Sequence, residues 1–145
     1  MIRVLVQTGD FDAGAELATL NRDDCGGVAS FTGIVRSDGG LTALTLEHYP
    51  AMTEKALRAL ADEAVARWPL VAATIIHRVG RLVPGDQIVF VGTASAHRAA
   101  ALESCAYLID RLKTDAPFWK KEEREAGDQW VAAKTSDDQA AARWQ

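Results

Sequence analysis

SAHRAAALESCAYLIDRLKTDAPFWKKE, residues 95–122, decides the architecture of this chain. Leu102, Cys105, Ala106, Ile109 and Leu112 recur at three- and four-residue steps, which predicts a helix with one apolar face. Ser95 is the expected N-cap, leaving His97 and Arg98 in the first turn, where the helix dipole disfavours positive charge. That arrangement makes sense where an anion binds, because free backbone N–H groups and a guanidinium together form an anion site. The residue before Pro117 avoids helical angles, so the helix ends there. Lys113 then falls at the helix C-terminus, and Lys120 lies past the bend on a short strand. Each feature also has a plain structural reading. A lysine at a helix C-terminus complements the dipole, and Lys120-Lys121 before Glu122-Glu123 suits an exposed ion-paired face. The information lies in their combination and order.

Upstream, Ile2, Val4 and Val6 mark a first strand, and Asp12 caps a short helix through Leu17 and Leu20. Gly26-Gly27 leads into a second strand, VASFTGIVR, and LTALTLEHY alternates as a third. Leu57, Leu60, Ala61, Ala64, Val65 and Trp68 predict a long helix from Met52, which Pro69 ends. Two further strands, 73–79 and 87–94, flank Val83-Pro84-Gly85-Asp86, whose Pro and Gly positions specify a type II turn. A hairpin at 118–131, turned around Gly127-Asp128, completes the pattern. The order describes an α+β fold, with a mixed or antiparallel sheet and about three helices. All 145 residues read as one domain, with a polar tail, loose from about residue 134, in which Trp144 hints at docking.

Composition excludes several classes. A chain 48% hydrophobic and 25% charged is an ordinary globular domain, and a net charge of −4 disfavours general nucleic-acid binding. No run approaches the roughly 20 apolar residues of a membrane span, and MIRVLVQTGDF reads as a strand rather than a signal peptide. Two cysteines, Cys25 and Cys105, fit a reducing compartment, so the expected location is the cytosol. His48, His77 and His97 show no zinc-ligand spacing, so no metal site is expected, and His77 reads as a structural residue at a strand end.

The residues are also recognisable. FTGIVR (31–36), LTLEHYPAMTEKAL (44–57), RWPL (67–70), IHRVGRLVPGD (76–86), SAHR (95–98), LKTDAPFWKKE (112–122) and GDQWV (127–131) resemble, in order and spacing, the large-subunit MoaE family of molybdopterin synthase. The resemblance implies the family's α/β hammerhead fold and a sulfurtransferase of molybdenum cofactor biosynthesis. Such an enzyme converts cyclic pyranopterin monophosphate to molybdopterin. It takes sulfur from the C-terminal Gly-Gly thiocarboxylate of a small ubiquitin-like subunit, within a heterotetramer centred on a homodimer. It further implies that Lys113 and Lys120 are catalytic and that Arg36, His97, Arg98 and Phe31 line the substrate pocket. Lys134 stands where some members carry an arginine, and the loop at 37–40 is shorter than in many relatives. No cofactor is implied.

Elementary chemistry agrees with that expectation. A cyclic phosphate needs fixed positive charge, and arginine suits it through paired donors. A thiocarboxylate is already nucleophilic at neutral pH, so the enzyme needs no nucleophile of its own. What remains is orientation, charge stabilisation and proton transfer, for which a lysine among other cations is suited. The expected division gives proton transfer to Lys113 and electrostatic stabilisation or a second transfer to Lys120. The competing reading is a scaffold that binds a ubiquitin-like sulfur carrier without catalysis, a role with no use for this cationic set. A thioester hydrolase would require a nucleophile elbow, which the sequence lacks.

Overall fold

A computed structural model describes residues 1–131 and 135–144. Strand β1 (Ile2–Gln7) is followed by helix α1 (Ala13–Leu20), β2 (Gly27–Ile34) and β3 (Leu41–His48). Next come α2 (Pro50–Arg67), β4 (Leu70–Arg78), β5 (Gly80–Leu82) and β6 (Gln87–Ser95). The chain closes with α3 (Arg98–Asp115), β7 (Phe118–Arg124), β8 (Gly127–Val131) and α4 (Thr135–Ala142). The expected α+β class holds, but the strands divide between two four-stranded sheets, ordered β1-β4-β6-β2 and β5-β3-β7-β8. The first sheet is mixed, with β1 parallel to β4, and the second is antiparallel throughout.

The first sheet is the core. Six consecutive residues of β4, from Ala72 to His77, and seven of β6, from Val89 to Ser95, are buried. Such unbroken runs belong to strands covered on both faces. Helices α2 and α3 cover one face through Leu57, Leu60 and Leu108 on Ile75, Val89 and Val91. Helix α1 covers the other through Leu20, with Phe11 against Phe90 and Ile76. A smaller cluster of Val35, Leu44, Leu46 and Leu82 lies under the second sheet, and Ile88 packs against both it and the main core.

Local chemistry explains most boundaries. Asp12 accepts the Ala15 amide at 3.1 Å and caps α1. Pro50 stands in the first turn of α2, and Trp68 before Pro69 ends it in extended geometry. The turn before β6 has the expected type II signature: Asp86 N–H donates to Val83 O at 2.9 Å, and Gly85 takes φ +96°.

Three expectations need correction. The N-cap of α3 is His97, not Ser95, whose buried hydroxyl donates instead to Pro69 O at 2.9 Å. The buried face of α3 runs through Ala101, Ser104, Cys105, Leu108 and Leu112, and Leu102 is 61% exposed. The final hairpin turns at Glu125-Ala126, since Arg124 pairs with Gly127.

The C-terminal segment adds a fourth helix, α4, beyond the three expected. Trp144 packs edge-on against Trp68 and Tyr107, at 5.8 and 5.6 Å. Its indole donates to Asp110 at 2.7 Å, and the Arg67 guanidinium lies over the Trp68, Tyr107 and Trp144 rings. No described helix is long and apolar enough to cross a membrane.

Candidate active site

Helix α3 delivers Lys113 in its last turn, and β7 delivers Lys120 two residues after its start. Both lysines line one cavity of about 240 Å³ at the seam between the sheets. Leu44, Leu46, Ile88, Leu112 and Phe118 make its apolar wall, with His77 and Asp137 among the polar lining groups. The alternation of β7 explains the arrangement. Phe118 and Lys120 share the inward face, whereas Trp119 and Lys121 fall on the other, where Lys121 meets Asp128 at 3.6 Å. The bend at Ala116-Pro117 is thus what brings a helix-borne and a strand-borne lysine to the same space.

Arg36 follows the buried Val35, whose apolar neighbours Leu44 and Leu46 also wall the cavity. Its side chain is 76% exposed and 3.7 Å from the Asp38 carboxylate. His97 and Arg98 lie elsewhere. Fifteen residues of α3 separate Arg98 from Lys113, about 22 Å of helix rise. They sit at the opposite end of β2, where Gly27 approaches the Arg98 Cα. Gly26 is required there because a Cβ would come within 2.3 Å of the Ala96 carbonyl oxygen. Phe31 is midway along β2, opposite Val91, and 40% exposed. One chain therefore brings Lys113 and Lys120 into one cavity, while Arg36 and the His-Arg pair are not among the described lining residues. Lys134 lies outside the described residues.

Two lining residues escaped the sequence reading. His77 is only 6% exposed, its ring stacked on Phe118 at 3.9 Å and 21°. Burial, reinforced by the nearby charges of Lys113 and His48, pushes its pKa down to about 4, against the pull of its backbone hydrogen bond, so the ring is neutral at physiological pH. The signal for a core position was strand alternation, which puts His77 on the same face as Ala73 and Ile75. Asp137 comes from α4, whose residues carry no amphipathic pattern that would have announced it. Cys105, in contrast, behaves as expected: burial pushes its thiol up to about 11, an inert state. The histidines are not gathered. His48 and His77 flank Phe118, His97 caps α3, and no metal-competent His, Cys, Asp or Glu cluster occurs among the described residues.

Fold and site together define an α+β domain with two lysines, carried by different elements, in one cavity. Comparison with known proteins narrows the class: the chain belongs to the MoaE protein family, whose model matches residues 6–115. It is 53% identical to the molybdopterin synthase catalytic subunit of Escherichia coli K12, over 98% of this chain and 97% of that one. It is also 53% identical to that of Mesorhizobium japonicum, over 97% and 92%. Among solved structures, the Burkholderia ambifaria MoaE protein superposes with a TM-score of 0.87 at 51% identity, covering 99% of this chain and 98% of that one. The molybdopterin synthase from Staphylococcus aureus gives 0.82 at 32% identity, covering 88% and 95%.

Proposed function

We propose that this chain is the catalytic subunit of a molybdopterin synthase, transferring thiocarboxylate sulfur to cyclic pyranopterin monophosphate. The observation that carries the reading is the shared cavity of Lys113 and Lys120, reached from two different elements, in a chain half identical to subunits of that name. The sulfur donor is a small ubiquitin-like subunit with a C-terminal Gly-Gly thiocarboxylate. A related structure, at 21% identity, is described as a complex of subunits 1 and 2 of the Helicobacter pylori molybdopterin-converting factor. Lys113 moves protons at the reacting carbon, while Lys120 holds developing negative charge close to the same cavity. Arg36 and Lys134 contribute positive charge toward the substrate phosphate. The setting is the cytosol, in keeping with two unpaired thiols.

The stranded His97–Arg98 pair supports a homodimer with shared sites. Strand β2 is an edge of the first sheet, with Val28, Phe31 and Ile34 exposed along it and Leu102 exposed on α3. Lys113 and Arg36 stand toward one end of this edge, His97 and Arg98 at the other. A twofold axis across it lays two copies antiparallel, and each then offers its His-Arg pair to the lysine cavity of its mate. Two such copies, each with one small subunit, give the heterotetramer.

One experiment tests both statements: product formation with thiocarboxylated partner and pterin substrate, using Lys113→Ala, Arg98→Ala and an equilibrated mixture of the two variants. Each variant alone should lose at least about a hundredfold. The mixture should recover about a quarter of wild-type activity, because half the dimers then carry one intact site. No product from wild type, with partner still bound, would leave the scaffold reading standing. Active wild type without recovery in the mixture would count against a site that takes Lys113 from one protomer and Arg98 from the other.

A further inference from the structure

Two titratable groups of the described cavity wall, His77 and Asp137, have no task in the preceding mechanism, and of the two only the imidazole of His77 is buried. Its surroundings are specific. His77 Nδ1 lies 2.7 Å from the carbonyl oxygen of Arg78, which can only accept, so Nδ1 carries the proton and Nε2 keeps a lone pair. The Phe118 ring fixes the plane of the imidazole, and the Nδ1 hydrogen bond fixes its rotation. A ring held twice over points its remaining nitrogen in one direction. Lys113 from α3, Lys120 from β7 and Asp137 from α4 line the same cavity, and His48 from β3 lies against Phe118.

Resting on the catalytic reading above, we propose that His77 is a positioning residue whose Nε2 lone pair accepts a hydrogen bond from the Lys113 ammonium and aims it into the cavity. The choice of residue type has a chemical logic. A carboxylate at this place would also hold Lys113, but it would cancel the charge that an anionic substrate needs. A phenylalanine would fill the same space and stack equally well, yet leave the flexible four-carbon stem of Lys113 without an anchor. A neutral imidazole orients the ammonium and leaves its charge intact. Burial makes this possible, since a protonated ring would be a third cation with no acceptor to offer. The same ring also explains why a histidine occupies a strand face otherwise given to Ala73 and Ile75.

Two amide substitutions separate this role from a structural one. His77→Asn can keep a donor near the Nδ1 position but loses the Nε2 acceptor; His77→Gln places its carbonyl near Nε2 and loses the donor. Positioning predicts a kcat drop of about ten- to a hundredfold for His77→Asn, with KM for the pterin unchanged, and substantial rescue by His77→Gln. Equal losses in both, or a better Asn than Gln, would overturn it. A second measurement requires neither turnover nor a fragile variant. The Nε2 resonance of His77, followed by 15N NMR at neutral pH in the full-length protein, should move toward that of a bare lone-pair nitrogen in Lys113→Met. An unchanged resonance would overturn the hydrogen bond even in an active enzyme. Inactive wild type with a resonance that does move would instead count against the catalytic reading alone.

Discussion

The two sheets are built to opposite specifications. The first is wrapped on both faces, and its central strands β4 and β6 are buried almost end to end. The second carries β7 and β8, in which most residues are partly or fully exposed, and holds itself with ion pairs such as Arg81–Glu123 at 3.0 Å and Arg124–Glu122 at 2.8 Å. It also shows Tyr49, Trp119 and Trp130 to the outside around a groove of about 300 Å³. A pair with one exposed partner, such as Arg81–Glu123, adds little stability. The first sheet therefore supplies rigidity, and the second supplies reach. The cavity is lined from both sides, by Lys113 of α3, the helix packed on the first sheet, and by Lys120 of β7 in the second.

That contrast can be broken by mutation. Phe90→Ala empties a fully buried site in the first sheet and should cost about 3–5 kcal/mol in urea denaturation, with a lower midpoint and unchanged slope. A loss near zero would mean that the first sheet is not the stability core. His77 at the seam gives the next effect. Its folded pKa of about 4 lies below the ordinary 6.5, so the unfolded chain binds the extra proton first. This contribution is complete above pH 6.5 and disappears as the pH falls toward 4, about 3 kcal/mol in all. Stability measured at pH 7, 5 and 4 should fall by that much less in His77→Phe than in wild type; parallel curves would show an imidazole already hydrated. Trp130→Ala, in the second sheet and 57% exposed, should change stability by under about 0.5 kcal/mol. A loss of 2 kcal/mol or more would erase the distinction between the sheets.

Legibility followed the same division. Strands β4 and β6 and helix α2 announced themselves, because continuous apolar runs and a proline-bounded stripe have few other readings. On α3, periodicity picked the right helix but blurred its face: the buried side uses the small Ala101 and Ser104, which a search for large apolar residues passes over in favour of Leu102. Ser95 looked like a cap because its hydroxyl could bond the helix, and only the chain geometry shows it spent on Pro69. Strand β5, three residues long, and α4, without an apolar stripe, left no periodic trace. Lys113 and Lys120 were legible as candidates. Their convergence was not, because it depends on how the Ala116-Pro117 bend sets one sheet against the other. His77 was harder still, since its neutrality and fixed tautomer arise from neighbours distant in sequence.

The parallel pairing of β1 with β4 has a consequence for the birth of the protein. Ile2 must find Ala73, and Gln7 must find Arg78, across an intervening length that already contains α1, β2, β3 and α2. On a ribosome adding roughly 5–20 residues per second, the first strand waits on the order of 4–14 seconds for its neighbour to be made. Throughout that interval Val4, destined to be buried, has no sheet to join. Closing so long a loop is intrinsically slow as well. Strand β1 is thus made well before it can be secured, and in that interval the nascent chain is open to unwanted strand pairing there.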